Sequence, residues 1–541
     1  MTHHHDPAID GAGHGTLSVA SILAETAKRH PDRPALHFMG TTTDYRTLWD
    51  QTRAYAGALR DRGIGPGSRV AMIVPNVPDF ARVYYAVLSL GAVVIPVHLL
   101  FKAGEIEFVL RDAEADLVVV AAPMLGEAIP AATAAGVPLV TVLLPPGGPD
   151  LPHLEAEAAA ATPIERHVAV APTAAATILY TSGTTGTPKG AVGSHLAHIE
   201  QVHCSLVDSF DLGPEDIVFG GLPFFHAFGQ MAVLNMGVRV GASIILLPKF
   251  DPEEALALLD SYRATVFTAV PTMYVGMLEA AERSTARPPL RYAVSGGASL
   301  PVAVLEAFHR VYGAEVHEGY GLTETSPVVS TNGMEAPIGP GTVGRPMWGV
   351  DVAIADPEVE GRIDLLDGAD ALGEVVVRGH NLFKGYLGRP DATEEAVVDG
   401  WFRTGDLGTL DADGVLTIVD RKKDMIVRNG YNVYPSELEA VLARHEAVAL
   451  SAVFGLPDDR HGQEVHAAVV LREGHEASAD ELVAYVKERV AAYKYPRVVH
   501  LVESLPIGAS GKVLKRALVA EYAAPGTVAG PLTEPLAAQA R

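Results

Sequence analysis

A single cysteine, Cys204, serves the whole 541-residue chain. No internal disulfide can form, which suits a reducing compartment and makes the cytoplasm the expected location. A thiol nucleophile needs a cation or a Gly-rich turn to lower its pKa. Cys204 lies in a helical stretch, His203–Leu206, with neither, so it reads as a small buried apolar residue. Cations are scarce as well: 41 Lys and Arg stand against 65 Asp and Glu, a net charge of −24. That excess repels nucleic-acid phosphates and anionic lipid, and no basic patch offsets it, so neither is an expected partner. Long apolar runs are also missing. The longest, such as Ala92–Pro96 and Ala242–Leu247, have the length of buried strands and fall far short of a membrane span. Residues 1–16 are polar and Gly-rich without an apolar core, and read as a flexible arm instead of a signal peptide.

What is present is a globular composition, 48% hydrophobic and 20% charged, in a chain long enough for at least two domains. Apolar positions Leu48, Tyr55 and Leu59 recur at helical spacing over Asp44–Arg62, and Gly63 supplies a stop. A strand follows over Arg69–Val74, and the alternation continues with helix Pro78–Ser89, strand Ala92–Val97, helix Ala103–Arg111 and strand Leu117–Ala121. Further strands are expected at Thr177–Tyr180, Ala242–Leu247, Thr265–Ala269 and Tyr292–Ser295. Such alternation is the pattern of a parallel, doubly wound sheet, whose ligands sit beyond the carboxyl ends of its strands. Beyond about Gly341 the texture changes to short strands and turns, with strands at Gly373–Arg378 and Gly414–Val419. After Asp420 comes a compact α+β tail: helices Pro435–Arg444 and Ala479–Ala492, strands Leu450–Phe454, Glu464–Leu471 and Val498–Leu501. The expected organisation is a flexible arm (1–16), a large domain (17–419) with a β-rich lobe from about 341, a small C-terminal domain (420–522) and a flexible tail (523–541).

Strand Thr177–Tyr180 runs into Thr181-Ser-Gly-Thr-Thr-Gly-Thr-Pro-Lys-Gly190. Backbone N–H groups, hydroxyls and one cation form a donor inventory suited to a polyphosphate. The spacing is not that of a Walker loop: Lys189 follows Gly186 by three residues, behind a proline, and no helix-opening Ser or Thr comes after it. Alone, the segment also has a plainer, less favoured reading as a mobile Ser/Thr/Gly surface loop. Four more segments follow in order: Glu318-Gly-Tyr-Gly-Leu-Thr-Glu-Thr325, Trp401-Phe-Arg-Thr-Gly-Asp-Leu-Gly408, Asp420-Arg-Lys-Lys-Asp424 with Gly430-Tyr431, and Gly511-Lys512. Together with the Thr181–Gly190 loop they closely resemble the motifs of the adenylate-forming superfamily, over roughly residues 17–520, with fatty-acyl and aryl-CoA ligases the nearest in look.

The resemblance implies an α/β fold with doubly wound mixed sheets, the β-rich lobe and a small mobile C-terminal domain. It implies ATP- and Mg²⁺-dependent activation of a carboxylic acid as an acyl-adenylate, then transfer to the thiol of CoA. On this resemblance Thr181, Ser182, Gly183, Thr184, Thr185 and Lys189 hold phosphates. Tyr320 and Gly321 face adenine, Thr323 touches the α-phosphate, and Glu324, with Thr181 as a weaker second ligand, holds magnesium. Asp406 would accept the two ribose hydroxyls, a task suited to a carboxylate, and Arg421 would add a donor. Lys512 is implied to bridge carboxylate and α-phosphate, offsetting their repulsion. Its neighbours Lys515 and Arg516 read as solvated charges. Gly508 stands where many relatives carry Thr, a mild departure. Lys423 matches the hinge about which the small domain turns between an adenylating pose and a thioester-forming pose that brings in Gly430 and Tyr431 for CoA.

For the acyl pocket the resemblance implies His226, Phe228, Gly229, Thr272, Ser295, Gly296, Gly297 and Ala298. Gly296 and Gly297 let backbone approach a ligand, and Gly229 removes a side chain from the expected wall. No acidic or basic selector is evident, which disfavours amino-acid substrates. Each residue also has a plainer reading: Glu324 and Asp406 as turn residues, Tyr320 as a core aromatic, His226 as a hydrogen-bonded structural histidine, Arg421 and Lys512 as surface charges. Two other functions stay open at this level: adenylation of another acid or small oxyacid with a carrier-protein thiol or an amine as acceptor, and a nucleotide-binding regulator on an inactive ligase scaffold. A homodimer is compatible with the chain, whose sequence does not encode an oligomeric state legibly.

Overall fold

Strand Pro34–Phe38, the first among the described residues, pairs with its neighbour Thr41–Asp44 and, on its other edge, with the far-off Ser243–Leu246, not with the alternating units between them. This computed structural model of the chain describes residues 17–181, 188–334, 339, 341–458, 460–508 and 511–523. The expected arm, nearly all of the expected tail, and Ser182, Gly183, Thr184 and Thr185 lie outside the described residues. Two sheets make up the large part. One has nine strands, centred on the parallel set Glu315–Tyr320, Tyr292–Gly296, Val266–Ala269, Ile217–Gly220 and Ser243–Leu246. The other has six, in the order Leu139–Val142, Leu117–Ala121, Arg69–Ile73, Val93–Pro96, Ala175–Thr181 and Lys189–Ser194.

Both are mixed, not purely parallel: Ala175–Thr181 runs antiparallel to Lys189–Ser194, and Pro34–Phe38 antiparallel to Thr41–Asp44. The reason is chain length. Gaps this short allow a hairpin, whereas a parallel crossover needs a dozen residues or more. The central strands read as unbroken apolar runs because helices cover both faces; all of Leu117–Ala121 and Val93–Pro96 is buried. Each such Val or Leu contributes roughly 1.5–3 kcal/mol. Local signals set the helix ends. Asp44 accepts the Thr47 N–H at 2.6 Å to open helix Tyr45–Asp61, and Pro78, Pro252 and Pro271 each begin a helix, where a missing N–H costs nothing.

The β-rich lobe is a five-stranded sheet built on Val350–Ala355, Gly373–Gly379 and Trp401–Leu410, with Leu416–Arg421 paired to the last. The C-terminal part has its own core. Strands Val448–Asp458 and Gly462–Leu471 pack helices Pro435–Leu442 and Ala479–Lys487 around Leu438, Leu442, Val465, Leu482 and Val486. Here the expected helix Ala479–Ala492 ends at Lys487, because the chain then turns to stack Tyr493 on Tyr431, with ring centroids 4.8 Å apart. Several observed helices were not among those expected, among them Ala20–Arg29, Leu125–Ala135, Pro252–Ser261, Pro271–Glu282, Val302–Tyr312 and Lys515–Tyr522.

Candidate active site

A cavity of about 1120 Å³ opens where the two large sheets, the lobe and the C-terminal part meet. Its floor is the carboxyl ends of strands: Gly296 and Gly297 after one, Gly319, Tyr320 and Gly321 after the next, Tyr180 and Thr181 from the six-stranded sheet. Thr404, Gly405, Arg421 and Lys423 close it from the lobe, and Lys512 from the C-terminal hairpin. Glycine is required at 321 and 297 for different reasons. A Cβ on Gly321 would collide with the Pro327 carbonyl, while Gly297 has φ +84° and a Cβ there would sit 3.3 Å from Lys512 Cε.

Tyr320, Asp406 and Arg421 form one unit. Asp406 and Arg421 face each other across paired strands, and Arg421 Nε lies 3.0 Å from Asp406 Oδ1. The Tyr320 hydroxyl donates to Asp406 Oδ2 at 2.7 Å. Burial raises the Asp406 carboxyl above its usual value, and Arg421 opposes that shift. The Asp406 carboxylate, 2% exposed, is therefore held in place before any ligand arrives.

Glu324 is 8% exposed and turned into the cavity, unlike a solvated turn residue. Tyr386, which no motif marked, donates its hydroxyl to Glu324 Oε1 at 2.8 Å, and Lys189 Nζ lies 5.2 Å from the centre of the same ring. Lys189 sits opposite Thr181 in the hairpin register, so cation and hydroxyl flank the residues between them. Among the described residues no cluster of three His, Cys, Asp or Glu side chains could hold a metal. One carboxylate plus substrate phosphates suits magnesium, and Glu324, with Tyr386 on one oxygen, retains acceptor capacity for it.

Lys512 lies in a hairpin closed by Gly508 N–H to Lys512 O at 2.8 Å and Leu514 N–H to Pro506 O at 2.7 Å. Thr272 Oγ1 donates to the Gly511 carbonyl at 2.9 Å and so ties that hairpin to the large part. Burial, reinforced by the Arg421 guanidinium, pulls the Lys512 ammonium down to about 8.

Phe228, Gly296 and Gly297 line the cavity, with His226 beside them. His226 Nε2 is buried without a hydrogen-bond partner among the described residues. Burial, then the adjacent His98 and Lys512, pushes the ring down to about 3, so it is neutral at physiological pH. Thr272, Ser295 and Ala298 are placed off the cavity wall: Thr272 on the Gly511 carbonyl, Ser295 inside its strand, Ala298 at the surface. Gly229 does line the cavity, but its missing Cβ points at the Pro223 carbonyl, so close packing of the 222–229 turn explains the glycine. Gly430 and Tyr431 are not on the wall at all. Asn429 (φ 52°) and Gly430 (φ 78°) form the tip of hairpin Ile426–Arg428/Tyr431–Val433, where Tyr431 is 57% exposed.

Sequence reasoning missed part of the wall. His98 follows strand Val93–Pro96, the position where the alternating pattern says ligands gather, and could have been found on that ground. Phe210, Met231, Ala232 and Met236 also line the cavity. Met231 and Ala232 lie in a π-helical segment, Gly229–Asn235, whose i→i+5 bonding widens the turn and brings residues five apart towards one face. Lys515 corrects the expectation of a solvated charge: its ammonium is paired with Glu439 at 2.8 Å and only 21% exposed, because helix Pro435–Leu442 packs across it. Cys204 is buried, and burial raises its thiol to about 11.

Comparison with known proteins agrees in extent with this architecture. Residues 23–387 match the family model of the AMP-binding enzyme, and residues 437–512 that of the AMP-binding enzyme C-terminal domain. A long-chain-fatty-acid–CoA ligase of Bacillus subtilis is 35% identical over 534 residues, covering 93% of this chain and 94% of its own. A feruloyl-CoA synthase of Amycolatopsis is 35% identical, covering 90% and 96%. ATP-bound MatB from Rhodopseudomonas palustris superposes with a TM-score of 0.84 at 31% identity, over 93% of this chain and 99% of that one.

Proposed function

We propose, from the premise that this chain belongs to the AMP-binding enzyme family, that it activates an apolar monocarboxylic acid, fatty or aromatic, and passes it to CoA. The chain is an acid–CoA ligase that uses ATP, Mg²⁺ and CoA and forms an acyl-adenylate. The observation that carries the residue-level reading is convergence: Thr181, Tyr320, Thr323, Glu324, Arg421 and Lys512, from four separate motifs, line one cavity.

A carboxylate is a poor acyl donor because its leaving group would be oxide; joining it to AMP supplies a good one. The chain's task is to align acid and ATP and to meet the negative charge that grows at the α-phosphate. In this reading the Asp406 carboxylate, fixed by Tyr320 and Arg421, takes the ribose hydroxyls. Thr181, Lys189 and Thr323 take phosphate oxygens, joined by Ser182, Gly183, Thr184 and Thr185. Glu324, steadied by Tyr386, would hold magnesium, which when bound neutralises phosphate charge. Lys512, which lines the cavity, donates to both anions as they approach and offsets their repulsion. His226 is poised to donate to the acid from its unpartnered nitrogen.

The acyl part of the wall, Phe210, Met231, Ala232, Met236, Val270 and Val294, contains no charged group. A second carboxylate or an ammonium would be left unpaired there at a cost of several kcal/mol, about the range for buried unpaired polar groups. Transfer to CoA requires the second pose, with Lys423 as the pivot; Gly430 and the Tyr431–Tyr493 stack would then meet the CoA chain. Among the described residues no helix is long and apolar enough to cross a membrane. A cytoplasmic home, supported by the lone buried cysteine, and a homodimer complete the reading; fractionation and light scattering test them.

The decisive experiment is pyrophosphate release across an acid panel with and without CoA. Release that depends on an apolar acid, with thioester formed only when CoA is present, is expected. Equal release with dicarboxylates, or product without CoA, overturns the assignment of acid or acceptor respectively.

A further inference from the structure

We infer that Asp420, bonded to Ser436 across the hinge and backed by the Lys515–Glu439 pair, forms a latch that positions Lys512 for adenylation. The inference rests on the two-pose reading above. Asp420 belongs to the lobe: it lies in strand Leu416–Arg421, opposite Leu407, and is 5% exposed. Its carboxylate nevertheless leaves that sheet. Oδ1 accepts the Arg421 N–H at 2.7 Å, and Oδ2 accepts the N–H of Ser436 at 2.9 Å, in the first turn of helix Pro435–Leu442. A carboxylate there satisfies an unbonded N–H and complements the helix dipole. The lobe thus caps a helix on the far side of Lys423.

The charge of the same carboxylate also reaches Lys515. That ammonium touches Glu439 Oε1 at 2.8 Å, and after Glu439 the Asp420 carboxylate is the next charge to raise its affinity for a proton. Glu439 is itself fixed, accepting the Val453 N–H at 2.8 Å. Lys515 opens helix Lys515–Tyr522 three residues after Lys512, and the Leu514 N–H to Pro506 O bond closes the Lys512 hairpin beside it. Fixing Lys515 therefore fixes the root of the catalytic hairpin.

Rotation about Lys423 would carry Ser436, Glu439 and Lys515 away from Asp420, because the first three belong to the C-terminal core and Asp420 to the lobe sheet. Breaking the Asp420–Ser436 bond returns a buried carboxylate to water, which offsets the lost attraction and lets the latch open. Lys515 touches no cavity wall and is a positioning residue.

The test separates the half-reactions. Asp420→Asn and Lys515→Met are expected to slow pyrophosphate release about tenfold by depopulating the adenylating pose. Thioester formation from supplied acyl-adenylate and CoA should stay within about twofold of the parent or rise. Lys515→Arg, which keeps the charge, should restore most of the first half-reaction. An equal fall in both half-reactions, or no change in either, overturns the latch. Lys512→Ala is the control for the underlying reading: if it spares adenylation, the two-pose reading fails, whereas its selective defect beside an unselective Asp420→Asn defeats the latch alone.

Discussion

The Tyr386 hydroxyl donates to Glu324 Oε1 at 2.8 Å and thereby orients the carboxylate proposed to hold magnesium. Partners of this kind commonly matter about 10–100-fold in metal affinity. Tyr386→Phe is expected to raise the magnesium concentration for half-maximal pyrophosphate release by about tenfold or more, with little change at saturating metal. Removing the metal with a chelator should stop release in both proteins. An unchanged magnesium titration would separate Tyr386 from the metal.

Lys512 gives a pH signature. Its ammonium, pulled down to about 8 by burial and Arg421, loses its proton as pH rises through that value. On the proposal that the charged form acts in adenylation, kcat/KM should fall on the alkaline side, with the free enzyme's pKa near 8. Lys512→Arg, charged at every pH tested, should flatten that limb whatever its absolute rate. Lys512→Met is expected to lose about 10²–10³ in rate while still binding ATP, measurable by calorimetry.

The Asp406 carboxylate stands between Tyr320 and Arg421 and is buried, so its charge and not its shape alone is at stake. Asp406→Asn should weaken ATP by about tenfold or more, as charge-assisted hydrogen bonds to the ribose, worth ~1.5–3 kcal/mol each, are lost. The rise should appear in the KM for ATP and leave that for the acid nearly unmoved.

Ala232 lies between Met231 and Met236 on the cavity wall proposed to hold the acyl group, the smallest side chain of the three. Ala232→Phe should fill that part of the cavity, cutting activity on long acids at least about tenfold while sparing short ones, in line with the ~1–3 kcal/mol cost of overpacking. A uniform loss across the acid panel would instead mark Ala232 as structural.

Much of this site was readable because its residues come in contiguous segments whose backbone does the placing. Tyr320, Gly321, Thr323 and Glu324 follow one strand within five residues, so a strand end carries them to the cavity together. Asp406 and Arg421 are legible once both are seen as strand residues, since antiparallel register sets them opposite. Lys515 was not. Three residues from Lys512 and next to Arg516, it has the sequence surroundings of a solvated lysine, and only a packed helix from seventy residues earlier supplies Glu439. Met231 and Met236 escape helical periodicity for a local reason: five residues apart they fall on different faces of an α-helix and approach one face only in the widened π turn. The glycine at 229 was expected to clear the pocket wall; it does line the cavity, but its missing Cβ points at the Pro223 carbonyl, which sequence spacing does not reveal.

The thiol of Cys204, sunk beside Trp348 and Val350 and with its pKa raised to about 11, leaves the molecule almost silent to cysteine-directed dyes. A fluorophore pair attached through cysteines introduced at exposed Asp391 and Glu476 would then carry no background from the native chain. Energy transfer between them, followed as acid, ATP and CoA are added in turn, would time each swing of the C-terminal part in a single turnover.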